Sequence, residues 1–258
     1  EFRRLQAILG SGENHEFGKW QQSTGEAISV SSELHTVLGL FDTWSEATKG
    51  ALNAAADEIR INGFSAKVNQ AQWELGDATA TRLTDSELRL HTFTKGYIME
   101  QVADAVMAEA GVRGIMLNVG GDILSKGDLR EAVRVSDPLS DAENGSSLST
   151  VSIQNQAIAT SGTSRRGAHI LDPRTGELAS GSISATVIHP DAVTAGALAT
   201  AFNVLSVDES KALAAEYPGT EYLIVGPDGA QHISENVVGQ RAAQIGQDGR
   251  FFLGGGLQ

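Results

Sequence analysis

Apolar residues recur at spacings of three and four in four stretches of the chain, and each predicts a helix with one buried face. In "EFRRLQAIL" the positions are Phe2, Leu5 and Leu9, so the helix is already under way at the first residue and the chain reads as trimmed of an earlier segment. In "SSELHTVLGLFDTWSEATKGALNAA" they are Leu34, Val37, Leu38 and Phe41, behind a Ser/Glu start signal and ahead of a glycine stop at Gly50. Residues 97–110, "YIMEQVADAVMAEA", carry Ile98, Val102, Ala105 and Val106 on one stripe, closed by Gly111. "DAVTAGALATAFNVLS" sets Val193, Ala197, Leu198, Ala201, Phe202 and Leu205 on a fourth face.

The remaining apolar runs are short and β-rich. "GIMLNVGGDIL" reads as a buried strand that turns sharply at Gly120 and Gly121. "LSTVSI", "QAIATSG", "ISATVIH" and "EYLIVGPDGAQHI" are further strands, the last containing a Pro-Asp-Gly hairpin turn, while the polar "RVSDPLSDAENGSSLS" reads as a loop. No internal repeat is present. Helices mixed with adjacent antiparallel strands predict an α+β fold rather than a doubly wound sheet, in one domain spanning residues 1–258.

Composition narrows the function classes. Nineteen basic residues against thirty-two acidic ones give a formal charge of −13, which disfavours general binding to nucleic acid or anionic membranes. The absence of cysteine excludes disulfides, thiolate metal sites and thiol nucleophiles within these residues. No apolar run approaches the length of a membrane span, and no export signal is visible.

Chemistry-bearing residues concentrate in a few segments. "HILDPRTG" holds an acid, a base, a cation and a hydroxyl within His169 to Gly176, yet alone it is also a good turn, with Pro173 at the first corner and Gly176 at the exit. Just before it, "ATSGTSRRG" can present backbone N–H groups and hydroxyls to an anion beside Arg165 and Arg166; a solvated loop is the plainer alternative. "VGGDI" is neither a dinucleotide nor a P-loop fingerprint, but two glycines at a strand end admit close backbone approach, with Asp122 at that mouth. "TKGY" sets Lys95 at a helix start, where the macrodipole disfavours a cation unless it serves something such as a phosphate. His15, His35, His91, His189 and His232 lack zinc-site spacing, and Trp20, Trp44 and Trp73 read as packing residues.

In chain order, "TKGY", "NVGGDI", "ATSGT", "HILDPRTG" and "ALATA" resemble the signature series of the FAD:protein FMN transferases, the ApbE-like flavin-trafficking family. The opening helix and "ATKGALNAA" resemble further family segments. The resemblance implies an α+β fold of the T-fold type that binds FAD in a cleft and, with Mg²⁺, transfers FMN to a threonine or serine hydroxyl of a partner protein, releasing AMP. It also implies a periplasmic or membrane-anchored extracytoplasmic setting.

By the same resemblance, His169 and Asp172 lie near the reacting diphosphate as alternative proton acceptors. Cofactor contacts fall to Lys95, Gly96, Glu100, Asn118, Gly120, Gly121, Asp122, Ser161, Gly162, Thr163, His169, Arg174 and Thr175, and metal contacts to Thr92, through its carbonyl, and Thr200. The departures from the family pattern bear on catalysis more than on FAD binding. The family's metal helix reads A-D-A-L-x-T, whereas "AGALAT" keeps Thr200 and has Gly196 at the aspartate. A mid-helix glycine costs ~1 kcal/mol against alanine, and Mg²⁺ is usually held by one or two carboxylates. Arg89 and His91 stand at the acid and glycine positions before "TKGY", Glu100 takes the following aspartate, and "LGSGEN" lacks the S-x-Y aromatic. Three readings follow: a transferase with a weakened metal site, a non-catalytic FAD-binding protein, and a hydrolase cutting FAD to FMN and AMP, which needs the same metal.

Overall fold

The computed structural model of the protein describes residues 1–140, 147–162 and 170–237. In chain order its elements begin with α1 (Phe2–Leu9), α2 (Glu16–Trp20), β1 (Ala27–Ser29), α3 (Ser32–Ala47) and α4 (Ala56–Asn62). A 3₁₀ turn (Ala66–Asn69) leads to β2 (Trp73–Leu75), β3 (Thr79–Arg82) and α5 (His91–Met107). Then come β4 (Gly114–Val119), β5 (Asp122–Gly127), β6 (Glu131–Ser136), β7 (Ser147–Ile153), β8 (Gln156–Gly162) and β9 (Ser184–His189). The last elements are α6 (Ala192–Val204), α7 (Val207–Ala215), β10 (Glu221–Val225) and β11 (Gln231–Ile233).

Every pairing between these strands is antiparallel, in a small sheet ordered β1-β3-β2, a six-stranded sheet ordered β11-β10-β9-β8-β5-β4 and a β6-β7 ribbon. The α+β expectation therefore holds. Period-two alternation divides the large sheet's faces. Ala157 and Ala159 on β8, Ala185 and Val187 on β9 and Ile224 on β10 join the main core with α5 and α6. Ile158, Ile188, Leu223 and Val225 join Val135, Val151 and Ile153 of the ribbon in a second cluster. Alanines on the helix-facing side meet an alanine-rich α6, so helix and sheet approach closely, and α6 is buried almost all round. Its N-terminus is capped by Asp191, whose carboxylate accepts from Thr194 N at 2.6 Å.

The helices expected in "EFRRLQAIL", in the stretch from Ser31 to the Gly50 stop and in "DAVTAGALATAFNVLS" form at Phe2–Leu9, Ser32–Ala47 and Ala192–Val204, and Ser31 caps α3 by accepting from Leu34 N at 3.2 Å. The three tryptophans are core residues, with Trp20 against Phe17 and Trp73 and with Trp44 stacked on Tyr217. Other expectations need correction. Phe2 is exposed, and only Leu5 and Leu9 of its stripe are buried. α5 begins at His91, so Lys95 sits in the second turn and escapes the dipole penalty of a first-turn cation. The buried face of α5 runs through Phe93, Gly96, Ile98, Met99 and Ala103, leaving Ala105 exposed and Val102 and Val106 half-buried, because the contact with α6 sets its rotation. β4 stands last in the sheet order and is only half-buried, since among the described residues no strand pairs beyond it. Part of the stretch read as a loop, Arg134–Ser136 and residues from Ser147 onward, is ribbon strand, where Val135 supplies the apolar inward position. Among the described residues no helix is long and apolar enough to cross a membrane.

Candidate functional site

The hairpin between β4 and β5 turns on two residues, Gly120 (φ 62) and Gly121 (φ 96). A two-residue turn with both φ values positive matches the right-handed twist of its strands and favours glycine at both corners. Asn118 braces it by accepting from Gly121 N through Oδ1 at 3.2 Å. β4 and β8 finish where β5 and β9 begin, Val119 pairing with Asp122 and Gly162 with Ser184, so the glycine turn, Asp122, Ser161 and Gly162 share one end of the sheet.

Asp122 occupies that end as a buried carboxylate. It forms an ion pair with Lys95 of α5 and accepts a long hydrogen bond from Thr160 N at 3.4 Å. Thr160 in turn shares a 2.9 Å hydroxyl contact with Thr186 of β9. Thr160 lies within "ATSGT" but the resemblance gives it no contact there, and Thr186 falls in none of the motifs; their meeting follows only from the β8–β9 register.

Gly96 and Glu100 have structural partners at the helix pair. α5 and α6 run antiparallel, with Gly96 beside Ala192 and Val193 and Thr92 beside Gly196. A Cβ on Gly96 would lie 2.6 Å from the Ala192 carbonyl oxygen and 2.9 Å from Val193 Cα, so only glycine permits this approach. Glu100 accepts from Ala192 N at 2.7 Å, satisfying a free N–H at the start of α6. Its other oxygen pairs with Lys126 at 2.6 Å, and Lys126 also meets Asp104 at 2.5 Å. Burial would lower the pKa of Lys126, but the two carboxylates outweigh it and hold the ammonium above its ordinary range.

The turn after Leu171 is held by one carboxylate. Asp172 Oδ1 accepts from Arg174 N and Nε at 2.9 Å each, and Oδ2 from Arg174 Nη2 at 2.7 Å. Thr175 N and Gly176 N donate to the Asp172 carbonyl, and the Thr175 hydroxyl accepts from Glu177 N at 3.2 Å. Burial pushes the Asp172 carboxyl up, yet Arg174 outweighs it and leaves the group below the usual carboxylate range. The Asp172 contact drives the Arg174 guanidinium further up. The turn rests on Phe64 and on Gly50 past the end of α3: a Cβ on Gly176 would meet Phe64 Cβ at 2.5 Å, and one on Gly50 would lie 3.6 Å from Arg174 Cγ. Thr163 and His169, with Arg165 and Arg166 between them, lie outside the described residues.

The metal contacts inferred by resemblance meet where α5 and α6 face each other. A Cβ on Gly196 would stand 3.5 Å from the Thr92 carbonyl oxygen, with no other atom outside its own helix backbone and chain neighbours within 4 Å. Thr200 donates its hydroxyl to the Gly196 carbonyl at 3.0 Å. The donors here are one carbonyl and one hydroxyl, both neutral, and among the described residues no group of three or more His, Asp or Glu side chains is placed to hold a metal ion. Such a set does not fit Mg²⁺, which dehydrates reluctantly and needs anionic oxygen to compensate.

A family model described as "ApbE family" matches residues 1–224. The chain is 30% identical over 188 residues to the FAD:protein FMN transferase of Treponema pallidum, covering 65% of this chain and 50% of that protein. It is 29% identical over 225 residues to the Vibrio cholerae protein of the same name, covering 75% and 67%. The chain thus spans about half to two thirds of the length of these relatives. In fold it resembles the crystal structure of an ApbE protein from Thermotoga maritima, with a TM-score of 0.77 at 22% identity over 92% of this chain and 87% of that one.

Proposed function

The chain belongs to the ApbE family, and from that premise we propose that it transfers the FMN half of FAD to a threonine or serine hydroxyl of an acceptor protein, releasing AMP. The hydroxyl oxygen bonds to the FMN-side phosphorus, the bond from that phosphorus to the bridging oxygen breaks, and AMP departs with the bridging oxygen. The hydroxyl proton passes to a base. Such a step needs the diphosphate charge neutralised and the hydroxyl held in line.

Lys95 supplies the cation, and the Gly120–Gly121 turn, where an added Cβ would meet nothing within 4 Å, supplies backbone that a ligand can approach closely, whereas Gly162 is glycine because Ile183 and Ser184 pack against it. Asp172 is ill suited to take the proton, because Arg174 occupies both its oxygens and makes it less basic. The reading therefore gives the proton to His169 and leaves Asp172 and Arg174 to hold the turn. No step is assigned to a metal ion.

The observation that supports this reading most is the meeting of Lys95, the glycine turn and the end of β8 at one end of the sheet. A second reading, a protein that holds FAD without turning it over, is favoured by Gly196 at the position where the family carries its metal aspartate. Titrating FAD while following flavin fluorescence, then adding an acceptor with a target threonine and quantifying AMP, separates the two. The transferase predicts saturable binding and AMP equal to the flavin attached. Binding without AMP selects the holding protein, and no binding of FAD overturns both.

A further inference from the structure

We propose that Asp122 is a positioning residue whose task is to hold the Lys95 ammonium at that end of the sheet as a preset seat for a diphosphate. The inference rests on the flavin nucleotide reading for its ligand, but its geometry stands apart from it. Asp is poorly suited to a strand, and a buried carboxylate costs free energy unless it is paired. Yet Asp122 opens β5 with its side chain 8% exposed, while its partner Lys95 is 42% exposed. An arriving anion therefore meets the lysine first, with the carboxylate behind it.

The carboxylate is itself fixed. The β5–β8 ladder runs through Ser125, Leu124 and Ile123, and beyond its last pair Asp122 Oδ1 takes the N–H of Thr160. Thr160 is tied to Thr186 on the next strand, so the anchor of Lys95 belongs to three strands rather than to a loop. A free lysine carries four rotatable bonds and loses that freedom when it grips a ligand. An ammonium has three donors, and one spent on Asp122 leaves two for phosphate oxygens. The seat requires preorganisation by the buried partner to exceed the repulsion between that partner and a more distant phosphate, and Asp122→Asn reads which of the two is larger.

The test measures binding of FAD, inorganic pyrophosphate and riboflavin to wild type, Asp122→Asn, Lys95→Ala and the double variant, with a melting curve for each. Asparagine keeps an acceptor for Thr160 N, so Asp122→Asn stays folded. The expected result is about tenfold weaker FAD and pyrophosphate binding in each single variant, riboflavin binding unchanged, and no further loss in the double variant, because the two residues act as one unit. Tighter or unchanged pyrophosphate binding in Asp122→Asn overturns the proposal, as do losses that add in the double variant or fall equally on riboflavin. Wild type that binds pyrophosphate with this pattern but not FAD overturns the flavin reading and leaves the seat standing. Wild type that binds neither overturns both.

Discussion

Replacing Gly196 with aspartate tests the metal argument where it is sharpest. The substitution has room, since the new Cβ stands 3.5 Å from the Thr92 carbonyl oxygen. Helix propensity gains a few tenths of a kcal/mol, roughly 0.4 from the usual scales. Without a cation, the carboxylate faces a carbonyl oxygen and gives much of that back, so metal-free stability stays within about 1 kcal/mol of wild type. With Mg²⁺, the set becomes carbonyl, carboxylate and hydroxyl once Thr200 rotates from its Gly196 contact. For a dissociation constant on the order of 1 mM, about 10 mM Mg²⁺ adds roughly 1.4 kcal/mol, or about 3–6 °C in Tm for a chain of this size. Differential scanning calorimetry with and without Mg²⁺ reads this directly. Wild type should shift by less than about 1 °C on the same scale. An equal Mg²⁺ shift in both proteins, or none in Gly196→Asp, refutes the reasoning.

Three further outcomes follow from the packing and the charges. Gly96→Ala drives a methyl against backbone atoms of Ala192 and Val193 that cannot yield locally, so α5 and α6 must separate at a cost of ~1–3 kcal/mol, visible in a urea titration as a lower midpoint. Asp172→Asn loses the Arg174 pair, on the order of 1 kcal/mol near pH 7. The folded pKa of Asp172 lies below its ordinary value of 3.8, so this stability is fully present above about pH 4–5 and vanishes as pH falls through the lowered value; the difference between the melting curves of the two proteins should shrink as the pH is taken down through that lowered value. Ser206→Ala removes a capping box in which Ser206 and Glu209 satisfy each other's backbone N–H, costing α7 about 1 kcal/mol, measurable by thermal melting.

How far the sequence discloses the fold depends on whether the deciding force is local. Alternation along β8 and β9 separates Ala157 and Ala159 from Ile158 by itself, and the paired glycines at 120 and 121 announce their hairpin. The start of α5 is hidden because Leu90 offers no side-chain cap, and its first turn is a His-Thr-Phe-Thr run with weak helix preference. The last place of β4 in the sheet order is hidden because strand order is a tertiary fact. Within the site, motif residues are legible as a set but not by task. Gly96 and Glu100 belong to the segment expected to touch nucleotide, yet one lets α6 approach and the other satisfies its first N–H. Asp172 reads as a free acid until Arg174, two positions on, is found on both its oxygens.

The central claim is that this chain hands FMN to a protein hydroxyl. Its most direct test is the intact mass of a threonine-bearing acceptor after incubation with the protein and FAD. The account predicts a gain of one FMN less one water, with AMP in equal amount, and loss of the gain when the acceptor threonine becomes alanine. An unchanged acceptor mass with FAD demonstrably bound to the wild-type protein would contradict it.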